Sequence, residues 1–119
     1  MCIRDSSVDY RYALALLRGE LNQPAEALIQ LRKIVDLDPS LMRAWYNLGL
    51  AYAQLEQLDE AAKALLEANK IEPSAETYFA LATIHLRQEK TEEAVQAAEA
   101  ALRLDPNHRA ARALLRQSI

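Results

Sequence analysis

The sequence predicts an all-α protein, a solenoid of tandem helix–turn–helix units, from its composition, its internal repeat and its helix boundary signals. Hydrophobic residues make up 51% of the 119 positions and charged residues 26%, which is typical of a folded globular chain and excludes a disordered one. Glycine occurs only 2 times, whereas alanine, leucine, glutamate, glutamine and arginine dominate. The straight-chain residues and alanine lose little side-chain freedom in a helix, so the composition favours helices throughout.

An internal repeat runs through the chain and is defined by four columns of matching residues. The prolines that follow an acidic residue are Pro39, Pro73 and Pro106, which are spaced 34 and 33 residues apart. The same spacings recur in three more columns: Leu14, Leu48, Leu81 and Leu115; Ala27, Ala61 and Ala94; and Ala15, Gly49 and Ala82. Periods of this length indicate stacked units, none of which buries its apolar face alone. Three units are near the minimum for such a stack.

Each unit is predicted to contain two helices with a short break between them. In the first unit a helix covers about 8–21, and a break at Asn22 and Gln23 precedes a helix that opens at Pro24, where a missing N–H is tolerated. In the second unit the helices cover about 41–55 and 59–71, with Asp59 placed to cap the second of them.

The third unit follows the same plan, with helices at about 75–88 and 92–104 and Thr91 as the expected N-cap. A further helix is predicted from about Asn107 to Gln117. The repeated prolines end the second helix of each unit. The residues directly after them are placed to cap the next helix: Ser40, Ser74 and Asn107.

One segment carries a family resemblance. The run Trp45-Tyr46-Asn47-Leu48-Gly49-Leu50-Ala51-Tyr52, followed by Ala61, Leu65, Ala68 and Pro73, resembles the signature of the tetratricopeptide repeat family. The resemblance covers residues 8–108 in register and continues as a partial unit to Ile119. It implies a right-handed α-solenoid domain over 7–119, with repeats at about 8–41, 42–74 and 75–108 and a capping helix at 109–119. It also implies that the alanine and glycine columns face each other where paired helices cross most closely.

Two columns depart from the family pattern. The glycine usual after the first helix is replaced by Asn22, Glu56 and Glu89, of which only asparagine takes a left-handed conformation easily. The tryptophan column holds Arg11, Trp45, Tyr78 and Arg112. Arginine in the outermost units predicts exposed ends of the stack, or ends that another segment covers, and this leaves self-association through the repeat ends open.

The first six residues are expected to be foreign to the fold. Met-Cys-Ile-Arg-Asp-Ser resembles the in-frame translation of a sequencing-library adaptor, so we expect residues 1–6 to be a non-native leader. The single cysteine, Cys2, falls inside this segment and therefore carries no weight in the functional argument.

Charge and hydropathy exclude several classes of partner. The net charge is −3 and lysine and arginine are scattered singly, so no basic stripe predicts nucleic-acid binding. The longest apolar runs, such as residues 13–17, are too short to insert across a membrane.

No catalytic, metal or cofactor site is predicted. No Cys/His cluster has metal-ligand spacing, and neither a phosphate-binding glycine loop nor a nucleophile elbow occurs. His85 stands where the family usually has tyrosine, which implies packing between helices. His108 follows Pro106 in a turn, where we expect it to be solvated.

A candidate binding site follows from a second periodic pattern on the first helices. An aromatic residue repeats at Tyr12, Tyr46 and Phe79, with Leu16, Leu50 and Thr83 one turn later and Gly19, Ala53 and Leu86 after that. The resemblance implies that this side lines a concave groove, edged by Arg43, Asn47, Glu76 and Arg87. The predicted peptide groove comprises Tyr12, Leu16, Arg43, Tyr46, Asn47, Leu50, Phe79, Thr83, Leu86 and Arg87. In the alternative interpretation, the aromatic residues only pack against the next first helix.

These patterns predict a non-catalytic interaction scaffold that binds a peptide or protein segment in the groove. Family members that hold a C-terminal carboxylate use Lys, Asn and Arg in the groove, but here only Asn47 matches and the other places hold Tyr12, Glu76 and Ala80. Carboxylate capture is therefore not predicted. Two alternatives remain: a repeat tail of a larger bacterial enzyme or multihaem redox protein that serves docking or oligomerisation, and a purely self-associating solenoid.

Overall fold

A computed structural model describes residues 23–118, and this part of the chain forms six helices. They are α1 (Pro24–Leu37), α2 (Met42–Gln54), α3 (Leu58–Ile71), α4 (Ala75–Arg87), α5 (Thr91–Leu104) and α6 (Arg109–Ser118). Each of these helices starts and ends within about two residues of its prediction. The predicted helix at about 8–21 and the proposed leader at 1–6 lie outside the described residues.

The helices stack in chain order, as an α-solenoid requires. Each helix packs against the next one along the chain, and α2 also contacts α4, so the first helices of consecutive units are neighbours. One core cluster lies among α1, α2 and α3 and contains Leu31 and Ile34, which are almost fully buried. The other joins α2 to α6 around Leu65 and Leu81. The all-α helical repeat fold is thereby confirmed.

The small-residue columns mark the closest helix crossings, as predicted. A Cβ atom added to Gly49 on α2 would lie 2.8 Å from Cγ of Leu65 and 3.2 Å from the carbonyl oxygen of Ala61. In the third unit the column of Leu65 holds Ala98, and both Ala98 and Ala82 are 0% exposed. The shorter side chain of Ala98 explains why this unit accommodates an alanine where the second unit needs glycine.

The break between the two helices of a unit is closed by backbone bonds alone. At the end of α2 the N–H of Gln57 donates to the carbonyl of Tyr52 (2.9 Å), and at the end of α4 the N–H of Lys90 donates to the carbonyl of His85 (2.8 Å). This bonding pattern requires a left-handed residue just before the donor. Glu56 (φ 61°) and Glu89 (φ 63°) occupy that position. Both glutamates therefore adopt the conformation that glycine adopts more easily.

Because the break is so short, two predicted caps are wrong. Gln57 and Lys90 are the N-cap residues of α3 and α5, and neither makes a side-chain cap bond. Asp59 and Thr91 lie inside the first turn instead. Asp59 still has an electrostatic role, since a carboxylate is favoured at a helix N-terminus, and it accepts a hydrogen bond from Nε2 of Gln88 (2.6 Å).

The left-handed glutamates lead to a stability prediction. We expect Glu89→Gly to raise the free energy of unfolding by about 1 kcal/mol, because glycine removes the Cβ strain at positive φ and only part of that gain is lost to its greater unfolded-state entropy. Urea denaturation followed by circular dichroism measures the change. Glu89→Ala is the matched control and should bring no gain, since alanine keeps the Cβ atom. A stabilisation by alanine equal to that by glycine would show that helix propensity, not backbone strain, is responsible.

The turns between units differ in length, and this difference decides which residue caps the next helix. Ser74 caps α4: its Oγ accepts from the N–H of Thr77 (3.1 Å) and lies 2.8 Å from the Thr77 hydroxyl, which is fully buried. Tyr78 follows Pro73 by 5 positions, whereas Trp45 follows Pro39 by 6. The turn after Pro73 is therefore one residue shorter, which brings Ser74 to the N-cap position.

In the longer turns the predicted caps Ser40 and Asn107 are wrong. The N–H groups of Ser40 and Asn107 donate to Oδ1 of Asp38 (3.2 Å) and of Asp105 (3.1 Å), two residues earlier. These bonds form Asx turns that hold the residue after proline outside the helix. Leu41 stands at the N-cap of α2, one residue later than predicted.

Arginine replaces tryptophan in the last unit and makes the same bond. Nε1 of Trp45 donates to the carbonyl of Pro39 (2.9 Å), and Nη2 of Arg112 donates to the carbonyl of Pro106, also 6 residues earlier. The arginine is exposed. It nevertheless ties α6 to the preceding turn, which the sequence pattern did not indicate.

Candidate functional site

The described residues of the predicted site lie on α2 and α4, the first helices of two consecutive units. We call this surface the α2–α4 face and define it by Arg43, Tyr46, Asn47, Leu50, Phe79, Thr83, Leu86 and Arg87. The two helices contact each other, so the residues from both units belong to one continuous surface. Tyr12 and Leu16, the predicted members from the first unit, lie outside the described residues.

The centre of the α2–α4 face is apolar and only half-buried. Tyr46, Leu50 and Phe79 pack against the core cluster that joins α2 to α6, yet each keeps part of its surface exposed. This packing agrees with part of the alternative interpretation, in which the aromatic residues serve only to pack the helices together. Their exposed parts nevertheless leave apolar and aromatic surface for a ligand. Leu86, one turn beyond Thr83, is 37% exposed and extends this surface along α4.

One end of the face carries a cation held between a ring and a carboxylate. The guanidinium carbon of Arg43 lies 5.3 Å from the centroid of the Tyr46 ring. Nη1 of Arg43 lies 3.6 Å from Oε1 of Glu76, which joins α2 to α4. Burial raises the pKa of the Tyr46 hydroxyl above its ordinary value, Glu76 raises that pKa further, and Arg43 opposes the shift. The tyrosine is therefore uncharged at neutral pH.

The opposite end carries a second arginine that is also held in place. Nη2 of Arg87 lies 2.7 Å from Oε2 of Glu56 and donates to the carbonyl oxygen of Ala53 (3.3 Å). Between the two ends, the hydroxyl of Thr83 donates to the carbonyl of Ala80 in its own helix (2.7 Å). The polar groups of Arg87 and Thr83 therefore bond to the protein itself. Glu56 contributes to this end of the face, although the sequence pattern did not identify it.

The expectation that His108 is solvated is wrong. Its ring is half-buried and lies against Phe79, with ring centroids 5.1 Å apart and planes inclined by 40°. Its Nδ1 accepts a hydrogen bond from the N–H of Ala111 (3.1 Å), so the side chain caps α6. His108 follows Pro106 by two positions, and Leu41, the N-cap residue of α2, follows Pro39 by the same distance. The repeat spacing therefore places His108 at the N-cap of α6 once the cap of α2 is known.

His85, for which the resemblance implied packing between helices, lines a surface cleft together with residues of α5. The side chain is half-buried, and its Nδ1 lies 3.1 Å from Oε1 of Gln88. Within residues 23–118, no group of three or more His, Cys, Asp or Glu side chains is arranged to hold a metal ion. In the same range, no helix combines the length and apolar character needed to cross a bilayer.

Three surface clefts are lined by none of the residues that define the α2–α4 face. The largest, of about 570 Å³, lies at the breaks between paired helices and includes Glu56, Asp59, Glu60, Gln88 and Lys90 in its lining. Two others, of about 390 and 300 Å³, share Tyr78 and lie along α3 and α5. All three are open to solvent.

Comparison with known families agrees with the repeat. Two sequence models described as tetratricopeptide repeat match the chain, one over residues 12–76 and the other over residues 75–108. No curated protein sequence matches the chain.

Solved structures of similar fold include MamA, YrrB and the first TPR of Spaghetti (RPAP3). MamA has a TM-score of 0.91 and 23% identity, covering 93% of this chain and 66% of its own. YrrB, described as a TPR protein with an unusual peptide-binding site, has a TM-score of 0.86 and 25% identity over 89% of this chain and 55% of its own. The first TPR of Spaghetti (RPAP3), bound to the HSP90 peptide SRMEEVD, has a TM-score of 0.90 and 23% identity over 98% and 95%. The chain therefore spans about two thirds of MamA and about half of YrrB.

Proposed function

The chain belongs to the tetratricopeptide repeat family, and from that premise we propose that it is a non-catalytic protein-interaction scaffold that binds a peptide or protein segment on its α2–α4 face. The coarse part of this proposal is supported by the family and by neighbours of the same fold whose descriptions name a peptide-binding site or a bound peptide. The choice of surface is our own inference from the side chains. The observation that carries it is the half-exposed row of Tyr46, Leu50 and Phe79 across two consecutive units.

Half-buried aromatic side chains suit this role for a physical reason. Because Tyr46 and Phe79 already pack against the core on one side, their rotamers are restrained before a ligand arrives. A ligand that covers the exposed side therefore gains apolar burial without ordering a flexible side chain. Tyrosine and other aromatic residues are typical of the few positions that dominate binding free energy. An extended or helical segment with apolar anchors is the class of ligand that fits.

The proposal predicts that truncating both aromatic side chains abolishes binding. As the probe we use the tightest dodecapeptide that wild-type protein recovers from a phage-displayed random library. Tyr46→Ala with Phe79→Ala should weaken its binding about 100-fold or more, because loss of one such anchor typically costs about 2 kcal/mol. Isothermal titration calorimetry measures the affinity. The matched control exchanges the charges of Lys63 and Glu67 on α3 and should change affinity by no more than about twofold.

Folding must be separated from binding in this experiment, since both aromatic side chains also contact the core. Circular dichroism has to show that the double variant remains helical. Leu86→Lys is a second variant that tests the same face with little risk to the fold, because Leu86 is 37% exposed, and it should weaken binding as well. If folded variants of the face bind as tightly as wild type while the α3 variant does not, the ligand binds on the outer helices.

A second candidate function is docking or self-association as part of a larger protein, such as a bacterial enzyme or a multihaem redox protein. The observation that favours it is a periodic row of exposed aliphatic residues at the last position of each second helix. Their exposed fractions are 57% for Leu37, 39% for Ile71 and 51% for Leu104. Light scattering over a concentration series distinguishes the candidates, because self-association raises the apparent mass and peptide binding by a monomer does not.

A further inference from the structure

Both arginine side chains of the α2–α4 face already pair with carboxylates of the protein. Arg43 faces Glu76 across the two helices at 3.6 Å, and Arg87 faces Glu56 at 2.7 Å. Arg87 also donates to the carbonyl oxygen of Ala53. With the Tyr46 hydroxyl protonated at neutral pH, these four ionised groups sum to no net charge. The described residues of the α2–α4 face thus include two cations, Arg43 and Arg87, and each of these charges is compensated by a carboxylate of the protein.

Resting on the proposed function, we propose that Glu76 is a specificity-determining residue that excludes acidic segments from the α2–α4 face and directs it to uncharged, apolar ones. A ligand carboxylate that approaches Arg43 competes with Glu76 for the same guanidinium, and the nearby Glu76 carboxylate repels it. An uncharged apolar segment meets neither obstacle, since Arg43 remains paired and stacked beside Tyr46 while the ligand covers the apolar row. Like-charge repulsion against the wrong partner is a general source of specificity.

Glu76 is better placed for this role than Glu56. Glu76 belongs to α4 itself, its side chain is 63% exposed, and it lies beside both Arg43 and the tyrosine whose pKa it raises. Glu56 lies in the break after α2, where its backbone has a positive φ, and Arg87 keeps a second bond to a carbonyl oxygen if Glu56 is removed. Removing the charge of Glu76 breaks only this exposed ion pair, which contributes little to stability, and should therefore change the ligand preference of the face.

The first test compares selections from the same random peptide library. Wild-type protein should return peptides with less aspartate and glutamate than the input library. Glu76→Gln should raise the acidic content about twofold or more, because no carboxylate then competes for Arg43 or repels an acidic ligand. Glu60→Gln is the matched control: it removes an equal charge from a carboxylate that pairs with Lys63 on α3, 3.9 Å away, and its pool should match wild type.

The second test measures affinities with two fixed probes. One is the N-acetylated acidic heptapeptide Ser-Gln-Met-Glu-Glu-Val-Asp, and the other is its neutral counterpart, N-acetylated Ser-Gln-Met-Gln-Gln-Val-Asn with an amidated C-terminus. In Glu76→Gln the ratio of acidic to neutral affinity should rise by a factor of about five relative to wild type, the size expected for one solvent-exposed ion pair. The ratio in Glu60→Gln should stay within about twofold of wild type.

The outcomes separate this inference from the proposed function. If the library returns peptides that bind the α2–α4 face but Glu76→Gln leaves both the acidic content and the affinity ratio unchanged, the specificity role of Glu76 is wrong and the binding face stands. An equal shift in Glu60→Gln would show a general charge effect and would also overturn it. If wild type selects no peptide whose binding depends on Tyr46 and Phe79, the proposed function fails, and the inference fails with it.

Discussion

Replacing Leu65 by alanine is expected to lower the free energy of unfolding by about 3 kcal/mol, which is the value typical of a large-to-small change in a core that cannot collapse. Leu65 is 0% exposed and lies directly beneath Gly49, where the two helices of the second unit cross. The Leu65 side chain fills the space that a Cβ atom on Gly49 would enter, so its truncation leaves a cavity at the crossing. Urea denaturation monitored by circular dichroism measures the loss.

The neighbouring residue is the control for this substitution. Leu66 stands next to Leu65 on α3 but is 47% exposed, so Leu66→Ala removes the same atoms from a surface position and should cost less than about 1 kcal/mol. Equal losses in the two variants would contradict the assignment of Leu65 to the crossing. The third unit shows that the column tolerates a small residue when its surroundings match, because Ala98 fills it at 0% exposure.

Removing the indole of Trp45 is expected to cost about 2–3 kcal/mol. The ring is half-buried against the core cluster of α1, α2 and α3, so the cost falls below that of a fully buried tryptophan. Part of the loss comes from the hydrogen bond between Nε1 and the carbonyl of Pro39, whose deletion contributes about 1 kcal/mol. Denaturation must be followed by circular dichroism, because this is the only tryptophan in the chain and the variant loses its fluorescence signal.

Trp45→Phe divides the effect between packing and hydrogen bonding. Phenylalanine keeps most of the apolar contact and loses the donor, so its cost should be about 1 kcal/mol. If Trp45→Phe and Trp45→Ala destabilise equally, the hydrogen bond to the turn is the main contribution and the packing assignment is wrong. Arg112 makes the equivalent bond to Pro106 without an aromatic ring, so the bond does not require tryptophan.

The elements of the fold were predictable because each depends on residues close together in the sequence. Each second helix ends two positions before a proline, so the C-terminal ends of α1, α3 and α5 follow from local sterics. The alanine and glycine columns are just as readable, since a close crossing admits only small side chains wherever it recurs. The Gly49 crossing confirms that reading.

The caps show where local reasoning fails. Asp59 and Thr91 have the residue types that cap helices, yet the helices start early because the backbone of the break folds back on itself and places Gln57 and Lys90 at the N-cap. Ser74 has the same residue type and does cap, because its turn is one residue shorter than the others. Residue type alone predicted all three, whereas the backbone path of each connection decided which of them caps a helix.

By itself, the sequence determined the repeat, the helical class, the family and the row of aromatic residues on the first helices, because all of these are periodic and need only spacing. The tertiary structure decided which side chains of different units meet. Arg43 pairs with Glu76, 33 positions later, and Arg87 pairs with Glu56, 31 positions earlier. The ring of His108 packs against Phe79. Such contacts depend on the positions that long side chains reach once the units have stacked. The spacing of residues along the chain does not determine those positions.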